Sequence, residues 1–151
     1  MTDEELVELL RKAAVSSGHR LMTLEDIARI QPGLGRLMPE VGHRAWKLYY
    51  AAEAKNWPLA AFQAKEIKGL LELCAFTRPK HEEALGQFLK KNWTPVEAAI
   101  AHADFAEFEL AFQKAISATN GYHKLKGKPY IIWKLPEAPP PDLDMQPQEK
   151  D

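Results

Sequence analysis

The chain has 151 residues, 46% of them hydrophobic and 27% charged, with a formal net charge of −1. That is enough for one domain with a real core, and a charge so near zero gives no global field favouring nucleic acid or an anionic membrane. No run approaches the ~18 apolar residues of a spanning helix, and the single cysteine, Cys74, excludes an internal disulfide and an all-cysteine metal site.

Residues 1–33 read as a short helical extension. Their start, "MTDEELVELL", is acidic where a signal peptide would be basic, so a cytoplasmic protein without membrane or nucleic-acid partners is expected. Thr2 and Glu5 have capping-box spacing, and the helix they open is expected to run to Gly18. "TLEDIARI" repeats the cap with Thr23 and Asp26 and stops at Pro32-Gly33.

Residues 34–135 carry the main helical patterns. Leu34, Leu37, Val41, Ala45, Leu48 and Ala52 share one face of a helix reaching about Lys55, with Pro39 expected to kink or separate its first turn. Asn56 can cap a second helix with Pro58 in its first turn, and Ala60, Ile67, Leu71 and Cys74 point inward. A third helix spans about Pro79 to Lys90. "NWTP" is expected to interrupt it, with Thr94 as a new N-cap and Pro95 at the first helical position. The last helix starts near Asp104. Phe105, Phe108, Phe112, Ala115, Thr119 and Tyr122 recur at alternating spacings of three and four, the mark of one stripe facing a bundle interior. "YIIW" has strand propensity but no partner strand, so it is expected to lie extended on the bundle. Residues 136–151 are proline-rich, then acidic, and read as a disordered tail. Short connections predict antiparallel neighbours. The expected fold is therefore all-α, an up-and-down four-helix bundle with a helical N-terminal extension and an extended C-terminal arm.

The chemistry concentrates at the end of the last helix. Thr119 and Tyr122 share a face and His123 follows. With cysteine at both positions the segment would be C-x-x-C-H, the attachment motif of c-type haem. Neither residue has a sulfur. On "GRLMPEVGHRAWKLYYAAEAKNWPLAAFQAKEIKGLLE", "AIAHADFAEFELAFQKAISATNGYH" and "KPYIIWKLPEAPPP", over roughly Gly35 to Pro141, the sequence resembles the four-helix-bundle c-type cytochromes of the cytochrome c′ type. The resemblance implies that the family's two cysteines fall at Thr119 and Tyr122, with only His123 retained. It further implies a haem-free, non-enzymatic bundle, acting as an accessory or interaction module and pairing as a homodimer through its first two bundle helices. The alternative is a reversible binder of non-covalent haem or another planar small molecule. A vestigial pocket of His123, Tyr122, Thr119, Trp46 and Tyr49 would then provide the contacts. A void the size of haem is costly, at ~24 cal/mol per Å3, so collapse of that pocket onto Tyr122, Tyr50, Phe62, Phe112 and other aromatic rings is expected.

No catalytic residue or metal site is expected. His19, His43, His81 and His102 lack ligand spacing and read as scattered surface histidines. Glu53, Glu66, Glu72 and Glu109 lack the histidine partners of a di-metal site. Cys74 reads as an inert core thiol. Lys124, Lys126, Lys128 and Lys134 form a basic strip that could meet an acidic partner or simply be solvated.

Overall fold

The computed structural model describes residues 1–149. The chain is mostly helical, 68% helix and 4% strand, and divides into two compact units between Pro32 and Gly33. Among the described residues no helix is long and apolar enough to cross a membrane.

In the first unit α1 (Asp3–Lys12) and α2 (Leu24–Arg29) both begin with the capping boxes read from the sequence. The amide of Glu5 donates to Thr2 Oγ1 at 3.2 Å, and the amide of Thr2 donates to the Glu5 carboxylate at 2.7 Å. Thr23 and Asp26 repeat this exchange. The Thr23 amide and hydroxyl hold the Asp26 carboxyl below its ordinary range. Between the helices the expected continuous helix gives way to an antiparallel hairpin, β1 (Ala14–Ser16) and β2 (Leu21–Thr23), with Val15 opposite Met22. The run Val15-Ser16-Ser17 favours extended backbone, and the chain reverses over Ser17 to Arg20, where the Ser17 amide donates to the Arg20 carbonyl.

The second unit holds α3 (Leu34–Glu53), α4 (Trp57–Thr77), a 3₁₀ turn (Pro79–His81), α5 (Glu82–Phe88), α6 (Thr94–Ala101) and α7 (Phe105–Leu125). Its core centres on Leu48, Ile67, Cys74, Val96, Phe108 and Phe112, each less than 2% exposed apart from Phe112 at 2%. The phenylalanine stripe of α7 thus does what its spacing predicts. Cys74 is fully buried, and burial pushes its thiol pKa up. Pro39 neither ends nor separates α3, which runs through it.

Three helix ends share one geometry. At each, the residue after the C-cap takes a positive φ: 61° at Lys55, 51° at Ala103 and 75° at Gly127. The paired bonds of a Schellman motif accompany them. Asn56 and Lys55 donate to the carbonyls of Ala51 and Ala52, Asp104 and Ala103 to those of Ala99 and Ile100, and Lys128 and Gly127 to those of His123 and Lys124. At the first two ends the motif's last residue also caps the next helix: Asn56 Oδ1 accepts from the Leu59 amide, and Asp104 Oδ1 from the Glu107 amide. One residue closes one helix and opens another, which keeps these connections short.

Two further expectations give way to the structure. "NWTP" does not break the third helical segment. A π turn, Leu89–Trp93, joins α5 to α6, and Thr94 is not an N-cap, since its hydroxyl donates to the Leu89 carbonyl at 3.1 Å. Pro95 has no N–H and crowds the preceding turn, and the wider turn relieves that conflict without ending the helix. Nor is the proline-rich segment a free tail. The Tyr50 hydroxyl donates to the Pro136 carbonyl, the Trp46 indole to Ala138, Lys47 to the Asp142 carboxylate and the Asn56 amide to Gln146. Met145 is only 7% exposed. A proline-rich extended segment makes no internal hydrogen bonds, so its carbonyls are free to accept from a helix that offers several polar tips. Lys150 and Asp151 lie outside the described residues.

Candidate functional site

Inside the second unit lies a cavity of about 600 Å3, within the range of small-molecule sites. Helices α3, α4, α5 and α7 contribute, together with the π turn after α5. Met38, Val41 and Ala45 come from α3, Ile67 and Leu71 from α4, Phe88 and Trp93 from the third segment, and Phe112, Ala115, Ile116, Thr119, Tyr122 and His123 from α7. The π turn explains how Phe88 and Trp93 both reach it. Five residues of regular helix would turn them ~140° apart, whereas a turn closed five residues on keeps them on one face. Their rings stack with centroids 6.3 Å apart. Trp93 is 4% exposed, and its indole N–H has no partner among the described residues.

The space beside Tyr122 is not filled by the rings expected to collapse into it: Phe112 and Trp133 stay in its wall, and the others are held by partners of their own. The Tyr122 hydroxyl and His81 Nδ1 share a hydrogen bond of 2.7 Å that pins the ring to the wall. Tyr50 is drawn to the arm, and Phe62 faces outward at 51% exposure. The structure brings Thr119, Tyr122 and His123 together around the cavity, as the sequence suggested, but not Trp46 or Tyr49. Trp46 stands one residue round the helix from Ala45, and its indole N–H reaches Ala138 O at 2.7 Å. Tyr49 lies deeper, packed edge-on to Phe105 and tilted against Phe112, and its hydroxyl donates to Glu109 at 2.8 Å. Burial, and then that carboxylate, raise the Tyr49 pKa to about 12.

His123 is positioned with care. Its Nδ1 lies 2.9 Å from the Ile131 carbonyl. A carbonyl only accepts, so Nδ1 carries the proton in this bond and the neutral ring keeps an unprotonated Nε2. Asn120 fixes the same segment. Its side-chain amide donates to the Trp133 carbonyl and its Oδ1 accepts from the Trp133 amide, both at 2.9 Å. This imitates one pair of a strand ladder and hangs Trp133 over the cavity. The indole lies so close to α3 that a Cβ on Gly42 would come within 2.8 Å of its Nε1, so only glycine fits there without movement.

Thioether attachment of haem does not fit this site. Thr119 Oγ1 donates to the Ala115 carbonyl, Tyr122 is bonded to His81, and neither side chain has sulfur. The donor chemistry of His123 does fit an axial ligand of non-covalently held iron.

Sequence reading missed His81 and Asn120. His81 is a half-buried wall residue, not a scattered surface histidine. Burial, and then the ammonium groups of Lys80, Lys126 and Lys128, hold its pKa below the ordinary value. Nothing in the local sequence marks it, because its partner Tyr122 is far along the chain. Asn120 stood inside the quoted motif, but its role depends on where Trp133 returns. No protein-family model matches the chain, and no curated protein or solved structure matches it either.

Proposed function

We propose that this chain is a cytoplasmic, non-enzymatic protein that reversibly holds a small, largely apolar molecule between its helices. Its helices would form an up-and-down four-helix bundle, haem-free as isolated and of cytochrome c′ type. The observation that carries this reading is the open cavity of about 600 Å3, walled by apolar side chains with Tyr122, His81 and His123 at fixed positions. An apolar recess of this size with a few fixed polar groups is the usual form of a small-molecule site. Non-covalent haem is one candidate occupant, with His123 as the residue that would hold its iron. Titration with haem and with a neutral environment-sensitive dye tests the reading. Saturable one-to-one binding of at least one probe is expected, and haem binding that His123→Ala leaves unchanged would remove His123 as a ligand. Absence of saturable binding by both would overturn the proposal.

A second reading, pairing of two copies through α3 and α4, is favoured by one feature. Phe62, Leu73 and Phe76 lie along one outward stripe of α4, with Phe76 83% exposed. Sedimentation at rising concentration tests it: dimerisation abolished by Phe76→Ser is expected, and a monomer throughout would sink it.

A further inference from the structure

We infer that the molecule held in the cavity is an amphipathic anion, its apolar body between the helices and its anionic group among Lys80, Lys126 and Lys128. The inference rests on the cavity-binding reading above and names the ligand's chemistry. Among the described residues, every ionisable lysine or histidine at the cavity is one of these three lysines, His81 or His123, and no aspartate or glutamate lines it. Among the described residues none of the three lysines forms an ion pair with a carboxylate. They are gathered at one end. Lys80 follows the end of α4, Lys126 is the C-cap of α7, and Lys128 is folded back by the Gly127 Schellman motif onto the carbonyl of His123. Lys126 Nζ stands 5.5 Å from the centroid of the Tyr122 ring. The three ammonium groups lie near enough to His81 to disfavour its protonated form.

The wall is apolar farther along the helices, at Ile67, Leu71, Phe88, Phe112 and Ile116. The sequence supports the same polarity. Residues 110–136 carry five lysines and not one aspartate or glutamate, in a chain whose formal net charge is −1. Such a one-sided collar over an apolar chamber leaves the negative charge to be supplied by the guest. A neutral guest would gain only the apolar term, and a cationic one would be repelled. At ~30 Å3 per water-sized group the chamber takes on the order of twenty such groups, which suits a medium or long alkyl chain.

The test compares three probes of one chain length on the full-length protein: dodecanoate, 1-dodecanol and dodecyltrimethylammonium. Binding is followed by tryptophan fluorescence below the micellar range. Dodecanoate is expected to bind at least about tenfold more tightly than the alcohol, the sum of three partly solvated charge contacts. That preference should shrink between about 20 mM and about 500 mM salt, as screening requires. In the triple variant Lys80→Gln/Lys126→Gln/Lys128→Gln the preference should vanish while alcohol affinity stays. The salt series on the wild type and the single variant Lys128→Gln keep the test decisive if the triple variant folds poorly. Equal binding of acid and alcohol, or tighter binding of the cation, would overturn the anion inference and leave the cavity reading standing. Failure of all three probes would overturn both.

Discussion

Ala115→Leu is the substitution that most directly tests whether the chamber is real. Ala115 is 3% exposed on α7 and lines the cavity beside Phe112 and Thr119. Leucine adds three carbons, which in an open chamber leave water for apolar surroundings. At ~0.8 kcal/mol each that is about 2.4 kcal/mol, and ordering the leucine side chain takes back about 0.5–1 kcal/mol. The net expectation is stabilisation by about 1.5 kcal/mol, or a rise in Tm of about 3–6 °C for a chain of this size. The same three carbons occupy guest space, so dye and dodecanoate binding should weaken. Ala111→Leu is the matched control, since Ala111 is buried one turn earlier on α7 but does not line the cavity. There the added carbons meet packed atoms, and a loss of about 1–3 kcal/mol is expected. Thermal and urea unfolding followed by circular dichroism give both values. Equal destabilisation by both variants, with binding unchanged, would refute the reasoning, because it would mean that Ala115 faces packed side chains.

Asn120→Ala removes both hydrogen bonds to Trp133. A loss of about 1–3 kcal/mol is expected, with Trp133 emission shifting to the red and faster amide exchange over residues 131–135; unchanged exchange would show that Asn120 does not hold the arm. Ala103→Gly relieves a left-handed residue at φ 51°. The gain of about 1–2 kcal/mol, less about 0.5–1 kcal/mol for glycine's freedom in the unfolded chain, predicts net stabilisation of about 0.5–1 kcal/mol in urea. Tyr49 keeps its proton to about pH 12 in the folded protein. Because its folded pKa lies above the unfolded value, the stabilisation is complete below pH ~10 and is lost as pH rises from ~10 to ~12, about 2–3 kcal/mol in all. Tyr49→Phe should flatten that stretch of the stability profile and delete the latest step in the ultraviolet titration; an unchanged profile would contradict the placement of Tyr49 against Glu109.

Much of the helical framework was legible locally. The Thr2/Glu5 and Thr23/Asp26 boxes, the Asn56 cap, the start of the last helix near Asp104 and the stripe from Phe105 to Tyr122 all follow from interactions within one turn or one face. The failures have a common cause. The π turn at Leu89–Trp93 arises because Pro95 conflicts with a helix that its packing keeps intact, so the sequence pattern reads as a break. The tail read as disordered because its partners Trp46, Lys47, Tyr50 and Asn56 lie some ninety residues earlier. His81 looked like any surface histidine until Tyr122 was set beside it.

Order along the chain thus determined most of the helical framework, where most of its helices begin, and that Thr119, Tyr122 and His123 share a neighbourhood. Those are short-range matters of capping, backbone freedom and periodicity. Only the tertiary structure decided that this neighbourhood is an open chamber. Whether space between helices is filled depends on which side chain each ring and indole meets across the fold. Here Trp46 and Tyr50 find the arm, Tyr49 finds Glu109 and Tyr122 finds His81, and the space beside Ala115 is left to a guest.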